Sequence, residues 1–548
     1  MNDMNREICA ENLCNTDRMQ ATVSAAAPVR QTEAETEKTK RMKEKFGFFG
    51  PSALLYAIFY AFCMFKNGSG VTFPFFVAGS LLFLCLSLAK LGTTLKRGSV
   101  FYMVAMMLLS ISTFCTDDAR IIFFNKLGIF LLMMSLLLKQ YYDTSQWGFG
   151  KFLGSICQLT FCCVGDISRP FRDAAEFRKQ RTGKGDRQIW ALGIGMLVGV
   201  PLLLVVMVLL SAADAVFRQL TDKFLENINL GNIVNVIFRI AFLFLFSYCL
   251  TSYLCKKKMK EEVKDNRTGE PILAITVTGM LTVLYLIFSG IQVAGLFLGK
   301  LQLPEGYSYA EYAREGFFQL LAVSLLNLVI VLICLSFFRE SKVLKMILTI
   351  MSLCTFVMIA SSAMRMCIYI MYYYLTFLRV LVLWALALLA VLFIGVIINI
   401  YREDFPLFRY SMTVVTVLYL ALSFAHPDYI IAKVNVANIQ EMQQQDAGAW
   451  EIFEPYDDYR YLSWLCADAA PVLVPCFEKL GYDMEAFWEE DPLEYIREQQ
   501  SEWRGRSTQE AFGYYWMKDR KESAEGLGIR TFNVSRYRMC RLLKRAAE

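Results

Sequence analysis

An all-α membrane protein is the fold class the sequence predicts: about eleven transmembrane helices followed by a small, mainly helical soluble domain. Three observations carry this. Of 548 residues, 56% are hydrophobic and 19% charged, whereas soluble chains have about 45–50% apolar and about 25% charged residues. The apolar excess falls in blocks of about 15–25 residues between Phe46 and Ala425, the length that crosses hydrocarbon as a helix. The polar sequence lies at the two ends, in one long internal loop and in short charged connectors such as 256–267.

Taken in order, residues 1–45 are polar and close on Lys38, Lys40, Arg41, Lys43 and Lys45. No apolar core precedes this run, so no cleavable signal peptide is expected, and the stretch from Ala21 to Lys45, without an apolar face, is expected to stay disordered or to form at most a frayed helix. Spans follow at about 46–65, 71–89, 99–115, 121–138, 189–211, 233–255, 272–298, 316–338, 346–363, 380–400 and 410–425. The fourth carries Asn125 and Lys126, and the eleventh is short before Pro427.

The loop 139–188 is more than a connector. Phe149, Phe152, Ile156 and Leu159 recur near helical spacing beside Tyr142 and Trp147, which predicts an interfacial helix, and a basic stretch runs from Arg169 to Arg187. Residues 426–548 form the expected soluble domain. Tyr461, Leu462, Leu465, Val472 and Leu473, and later Val534, Tyr537, Leu542 and Leu543, fall at helical spacing, with Asn533 or Ser535 placed to cap the last helix. Its charge is polarised: 428–502 holds 17 acidic and 4 basic residues, 504–548 holds 5 and 11.

Charge also orients the chain. With the N-terminus in the cytoplasm, the inner segments carry 28 Lys and Arg and the short outer loops 8, as the positive-inside rule requires. Eleven crossings then put the C-terminal domain outside the cytoplasm. The net charge of +6 is accounted for by these loops, and nucleic acid is not among the expected partners.

Function classes can be excluded by composition. The chain has one histidine, His426, so a Ser/His/Asp triad would need it as base and multi-His metal sites are excluded. The 16 cysteines form no CxxC pair. Catalytic residues, metal and cofactors are all expected to be absent. No acid lies at the middle of a span, which argues against an ion-coupled carrier. Gly193, Gly195 and Gly199 follow no strand and read as a helix-packing face. Gln292, Asn327 and Asn399 read as hydrogen bonds between helices.

Charge beside the spans is costly and marks the candidate site. Asp214, Arg239, Arg314, Glu315, Arg365, Arg379, His426 and Asp428, with Asp117, Asp118 and Arg120, all gather at the outer leaflet in this topology. Either the arginines hold an anionic headgroup, solute or peptide carboxylate, or Arg239, Arg365 and Arg379 pair with Asp214, Glu315 and Asp428 to lock helix ends. His426-Pro427-Asp428 reads as the turn that ends the eleventh span, with an acid/base pair as its other reading.

Five stretches resemble a known group: Ala212-Ala-Asp-Ala-Val-Phe217, Tyr312-Ala-Arg-Glu-Gly-Phe-Phe-Gln-Leu-Leu321, Ala425-His-Pro-Asp-Tyr-Ile-Ile-Ala-Lys-Val-Asn435, Tyr461-Leu-Ser-Trp-Leu-Cys-Ala-Asp-Ala-Ala-Pro471 and Phe532-Asn-Val-Ser-Arg-Tyr-Arg538. They are similar to the polytopic membrane proteins of Gram-positive bacteria grouped as domains of unknown function four-one-five-three and four-one-seven-three, over roughly 100–545. The resemblance implies a bacterial cytoplasmic-membrane protein whose last span leads into a small helical domain, and it carries over no catalytic residue. The expected partners are the lipid bilayer, anionic lipid or cell-wall polymer, and a cytoplasmic partner at 139–188. A non-enzymatic envelope sensor or regulatory scaffold is the leading expectation; a transporter or flippase-like protein for an anionic envelope component is the alternative, and a membrane-embedded transferase is third.

Overall fold

The computed structural model describes residues 36–144, 147–180, 230–256, 267–294, 316–402, 404–445, 461–479 and 528–547, with scattered residues of 195–217 and 513–520. Among the described residues there is no strand beyond a single bridge between Gly269 and Phe338. The helices are α1 (Glu37–Glu44), α2 (Phe46–Met64), α3 (Thr72–Lys90), α4 (Ser99–Cys115), α5 (Ala119–Tyr141), α6 (Phe149–Cys162), α7 (Arg169–Gln180), α8 (Leu230–Cys255), α9 (Pro271–Gln292), α10 (Phe317–Phe337), α11 (Lys342–Tyr373), α12 (Phe377–Tyr401), α13 (Leu407–Phe424), α14 (Pro427–Gln445), α15 (Ala470–Lys479) and α16 (Val534–Ala547).

Nine of these described helices are long and apolar enough to cross a membrane: α2, α3, α5 and α8 to α13; α4 is a shorter apolar helix. Together they occupy the place of every expected span except 189–211, which lies largely outside the described residues, as does Gly193. Leu55, Phe62, Phe75, Leu82 and Phe238 point outward from them, as lipid-facing residues do. Helices α2 to α5 and α8 share one core, which includes Phe49, Leu88, Met106 and Leu138, and α9 to α12 build a second around Val331, Met351 and Phe393. Helix α13 packs on both α12 and α4 and joins the two groups.

Inside the membrane zone, polar side chains bond between helices as expected at two positions. Asn327 accepts from Tyr285 (2.9 Å) and donates to Thr355 (3.0 Å), and Gln292 accepts from Ser361 (2.7 Å) and Arg365 (3.2 Å). Asn399 makes no such bond among the described residues. Asn125 is fully buried and accepts from Tyr419 and Ser423, each at 2.8 Å.

Four expectations are corrected. The ninth span does not end near Ala363: α11 runs 32 residues to Tyr373, because Ser361, Ser362 and Arg365 are met by neighbouring oxygens and the helix has no cause to stop. The N-terminal tail is ordered at its end, where α1 buries Met42 and Thr36 Oγ1 donates to the Cys255 carbonyl (2.5 Å). Helix α6 forms from the expected residues, but Phe152, Ile156 and Leu159 are buried in the bundle, with the Phe152 ring 4.2 Å from that of Phe408. The described part of the C-terminal region is not free-standing. Ile431, Leu465, Leu473, Phe477, Trp516 and Met539 share one core with Ile121 and Phe377 of the membrane helices and with Leu375 between α11 and α12. Each large side chain so buried stabilises by about 1.5–3 kcal/mol.

This shared core lies at the end of the bundle where α4 and α13 stop and α5 and α12 start. The opposite end carries Lys90, Tyr141, Cys255, Glu340 and Tyr401.

Candidate functional site

The site begins with a sharp turn. Helix α13 ends at Ala425, whose N–H donates to the carbonyls of Ala421 and Leu422. His426 follows with φ of +48°, a left-handed conformation that histidine adopts more readily than most side chains and that costs about 1–2 kcal/mol. Pro427 fits the first position of α14, where its missing N–H is no loss. The His426 carbonyl accepts from the N–H groups of Tyr429 and Ile430. One residue thus closes one helix and opens the next, and its imidazole is aimed across the end of the bundle.

It meets Asp468, in the short turn Ala467–Ala469 before α15. Asp468 is buried, at 6% exposure. Its Oδ2 takes His426 Nδ1 (3.0 Å) and Thr116 Oγ1 (2.5 Å); its Oδ1 takes the Asp117 N–H (2.9 Å) and the Ser535 hydroxyl. A carboxylate only accepts, so the imidazole nitrogen facing it carries the proton. Burial raises the Asp468 carboxyl, but bonds from His426, Ser535, Thr116 and the Asp117 N–H outweigh it and hold the group below the usual 3.8. The same bond lifts His426 above 6.5, against burial and the nearby Arg538 charge.

A second cluster lies alongside. Asp118 caps α5 and accepts from the Arg120 N–H (2.8 Å). The Arg120 guanidinium bridges Asp118 (2.9 Å) and Asp428 (2.6 Å) and lies 3.8 Å over the Phe377 ring. Asp428, 1% exposed, also accepts the Cys466 N–H (2.9 Å). Burial and the Asp118 charge push its carboxyl up, and Arg120 and the Cys466 N–H pull it back only partly. Asp117 is raised by burial and drawn down by Arg536, whose Nε lies 2.6 Å from its Oδ1.

The last helix closes the assembly. Asn533 caps α16 through Oδ1, which accepts from Ser535 N (3.0 Å) and Arg536 N (3.2 Å), while its Nδ2 donates to the carbonyls of Ser69 (3.2 Å) and Thr116 (2.9 Å). The α2–α3 loop meets the same segment: Val71 N donates to the Phe532 carbonyl (2.8 Å) and Asn67 Nδ2 to that of Arg530 (3.1 Å). Gly70 is required there, because a Cβ would stand 2.5 Å from the Arg530 carbonyl oxygen.

The model of a domain of unknown function, DUF4153, matches residues 103–475. The chain belongs to the DUF4153 family. No curated protein and no solved structure matches it. The DUF4153 region supplies Thr116, Asp117, Asp118, Arg120, His426, Asp428 and Asp468, while Asn533, Ser535 and Arg536 lie beyond it.

Of the residues singled out from sequence, this DUF4153 protein brings His426 and Asp428 together with Asp117, Asp118 and Arg120. His426 and Asp428 do not pair with each other; each has its own partner on another segment. The remaining arginines stand apart. Arg379 donates to the carbonyls of Tyr373 and Tyr374, capping α11, and lies 4.3 Å over the Tyr369 ring. Arg365 is buried within α11 and its Nη1 would meet a Cβ on Gly316, where φ is +115°. Arg239 donates to Asn235 (2.5 Å) and to the Met64 carbonyl (3.4 Å). Asp214 is exposed and accepts the Phe217 N–H (2.7 Å). Arg314 and Glu315 lie outside the described residues. Asp428 is taken by Arg120, and the bonds described for Arg239, Arg365 and Arg379 go to backbone carbonyls and amide side chains; the expected pairing with Glu315 falls outside the described residues.

Asp468 and Thr116 were not among the sequence candidates; Asn533 and Ser535 were expected only as helix caps, and Arg536 only as part of a basic face for anionic lipid or cell-wall polymer, not as the partner of Asp117. Asp468, Asn533, Ser535 and Arg536 do fall in the stretches Tyr461–Pro471 and Phe532–Arg538 that carry the family resemblance, and Thr116 gave no signal. As chemistry, the cluster is a closed network. Ser535 donates to Asp468 and not to His426, so the nucleophile–base–acid order of a hydrolase is not assembled here.

Proposed function

We propose that the protein is a non-enzymatic envelope sensor or regulatory scaffold of a bacterial cytoplasmic membrane, with the N-terminus in the cytoplasm and the region after α13 outside it. The carrying observation is the buried Asp468 carboxylate. It accepts from Thr116 and Asp117 at the α4–α5 turn, from His426 after α13 and from Ser535 in α16. A displacement of the C-terminal helices must therefore alter bonds to two membrane helices at once, which is the coupling a sensor needs. The orientation follows from the excess of Lys and Arg in the segments at the opposite end. The carrier reading is weakened because Arg239, Arg365 and Arg379 each serve a helix end or a helix contact.

Two measurements test this. A single cysteine at Ser523, in an otherwise cysteine-free chain, is expected to react with an impermeant maleimide in intact cells. Reaction only after permeabilisation would reverse the sensing side. In reconstituted vesicles, Arg239→Gln and Arg379→Gln are expected to lower the melting temperature without abolishing any anionic flux; flux lost with the fold intact would establish the carrier instead.

A further inference from the structure

A cavity of about 330 Å³ lies between α2, α3, α5 and α8, within the range of about 300–1,000 Å³ typical of small-ligand sites. Tyr56, Phe76, Phe83, Ile129, Phe246 and Leu250 form much of its wall, and Tyr56 is stacked on Phe83 at 4.9 Å. Of the hydroxyls that reach it, those of Tyr56, Ser80, Ser247 and Thr251 are spent on the protein, while the buried Ser87 hydroxyl has no partner among the described residues. Tyr56 bonds Ser80 (2.8 Å), and Ser247 and Thr251 bond carbonyls of their own helix. Apart from the Ser87 hydroxyl, the wall therefore presents mainly hydrocarbon and ring faces. It is also long: Lys126 and Tyr141 both line it, and helical rise separates them by about 22 Å. That is the shape of one extended chain.

One cation stands at its mouth. Lys126 is half-buried, its Nζ is 5.8 Å from the Phe73 ring centroid, and it reaches the α2–α3 loop, 3.6 Å from where a Gly68 Cβ would lie. Among the described residues no carboxylate pairs with it, in contrast to Lys43, Lys256 and Lys345. An ammonium at the edge of a hydrocarbon-lined slot in a membrane is costly without an anion. We propose that this cavity holds one acyl chain of an anionic glycerophospholipid, with the phosphate at Lys126. The site is separate from the Asp468 network and does not depend on the sensor reading.

The test uses the full chain in phosphatidylcholine vesicles doped with phosphatidylglycerol bearing a photoactivatable group on its acyl chain. Crosslinks are expected in α3, α5 and α8 at cavity residues. Lys126→Gln is expected to reduce them about tenfold, the loss of one charge-assisted bond, and Lys126→Arg to retain them. Gly68→Asp, placed in the loop outside the membrane, sets a carboxylate beside Lys126 and is expected to compete with the phosphate without touching the cavity wall. Equal crosslinking by a phosphatidylcholine probe, crosslinks confined to outward residues such as Leu55 and Leu82, or indifference to both Lys126→Gln and Gly68→Asp would overturn the assignment.

Discussion

The two ends of the bundle use the same residue types to different effect. At the end opposite the C-terminal helices, Glu340 pairs with Arg267 (2.9 Å) and Lys345 (3.0 Å), and Lys43 with Glu176 (3.3 Å), with these carboxylate side chains 43–49% exposed. At the other end Asp118, Asp428 and Asp468 have side chains 1–2% exposed; Asp428 and Asp468 each serve partners on two or more segments, and Asp118 holds Arg120 at the head of α5. Water competes for the first set and is excluded from the second. Exposed pairs contribute about 0–1 kcal/mol, whereas stripping a partner from a buried one costs about 3–5 kcal/mol. The first end also buries the Lys256–Asp166 pair and Asp173 beneath Tyr248, but its Glu340 and Glu176 pairs stay at the surface, whereas the charge at the other end is packed inside.

The contrast is broken most severely by Asp468→Ala. It strands Thr116, His426 and Ser535 in a dry site, and a loss of about 3–5 kcal/mol is expected, read as a lower melting temperature in detergent and rapid proteolysis after Ala425. His426→Gln acts next. His426 is held above 6.5, so its contribution is complete below pH 6.5 and lost as pH rises through the folded value. Asp468 is held below 3.8, so its contribution is present above 3.8 and lost as pH falls through its folded value. Asp117 and Asp428, both raised by burial, run the opposite way on the acid side and blunt that limb. Thermal stability is therefore expected to be greatest from about pH 4 to 6.5. His426→Gln should flatten the alkaline limb and leave the acid limb in place; an unchanged alkaline limb would show that another group sets it. The smallest effect is expected for Glu340→Gln at the opposite end, below about 1 kcal/mol and absent in high salt. A loss as large as that of Asp468→Ala would erase the distinction between the ends.

What could be read from sequence divides along the same line. The spans were legible because a run of apolar residues such as Phe377–Tyr401 announces itself locally, without reference to anything distant. Arg365 misled for the same reason: beside Ser361 and Ser362 it looks like a helix end, and only Gln292, on another helix, shows that it is housed inside one. His426 and Asp428 stood out because charge next to a span is rare. Asp468 did not, since it sits in a polar region where aspartate is ordinary and its partner Thr116 is 352 positions away. Asn533 was legible as a helix cap, but not as the residue that also reaches Ser69 and Thr116.

The closure of the α2–α3 loop and the α4–α5 turn by residues 530–536 sets an order of events in time. Synthesis runs from the N-terminus, so Asn67, Gly70, Thr116 and Asp117 enter the membrane long before Arg530, Asn533 and Ser535 exist. Throughout that interval the carbonyls of Ser69 and Thr116 and the N–H of Val71 lack the partners they finally take. A turn made late is thus the latch on a loop inserted early. A chain cut short before Arg530 keeps those bonds unmet at one face of the membrane.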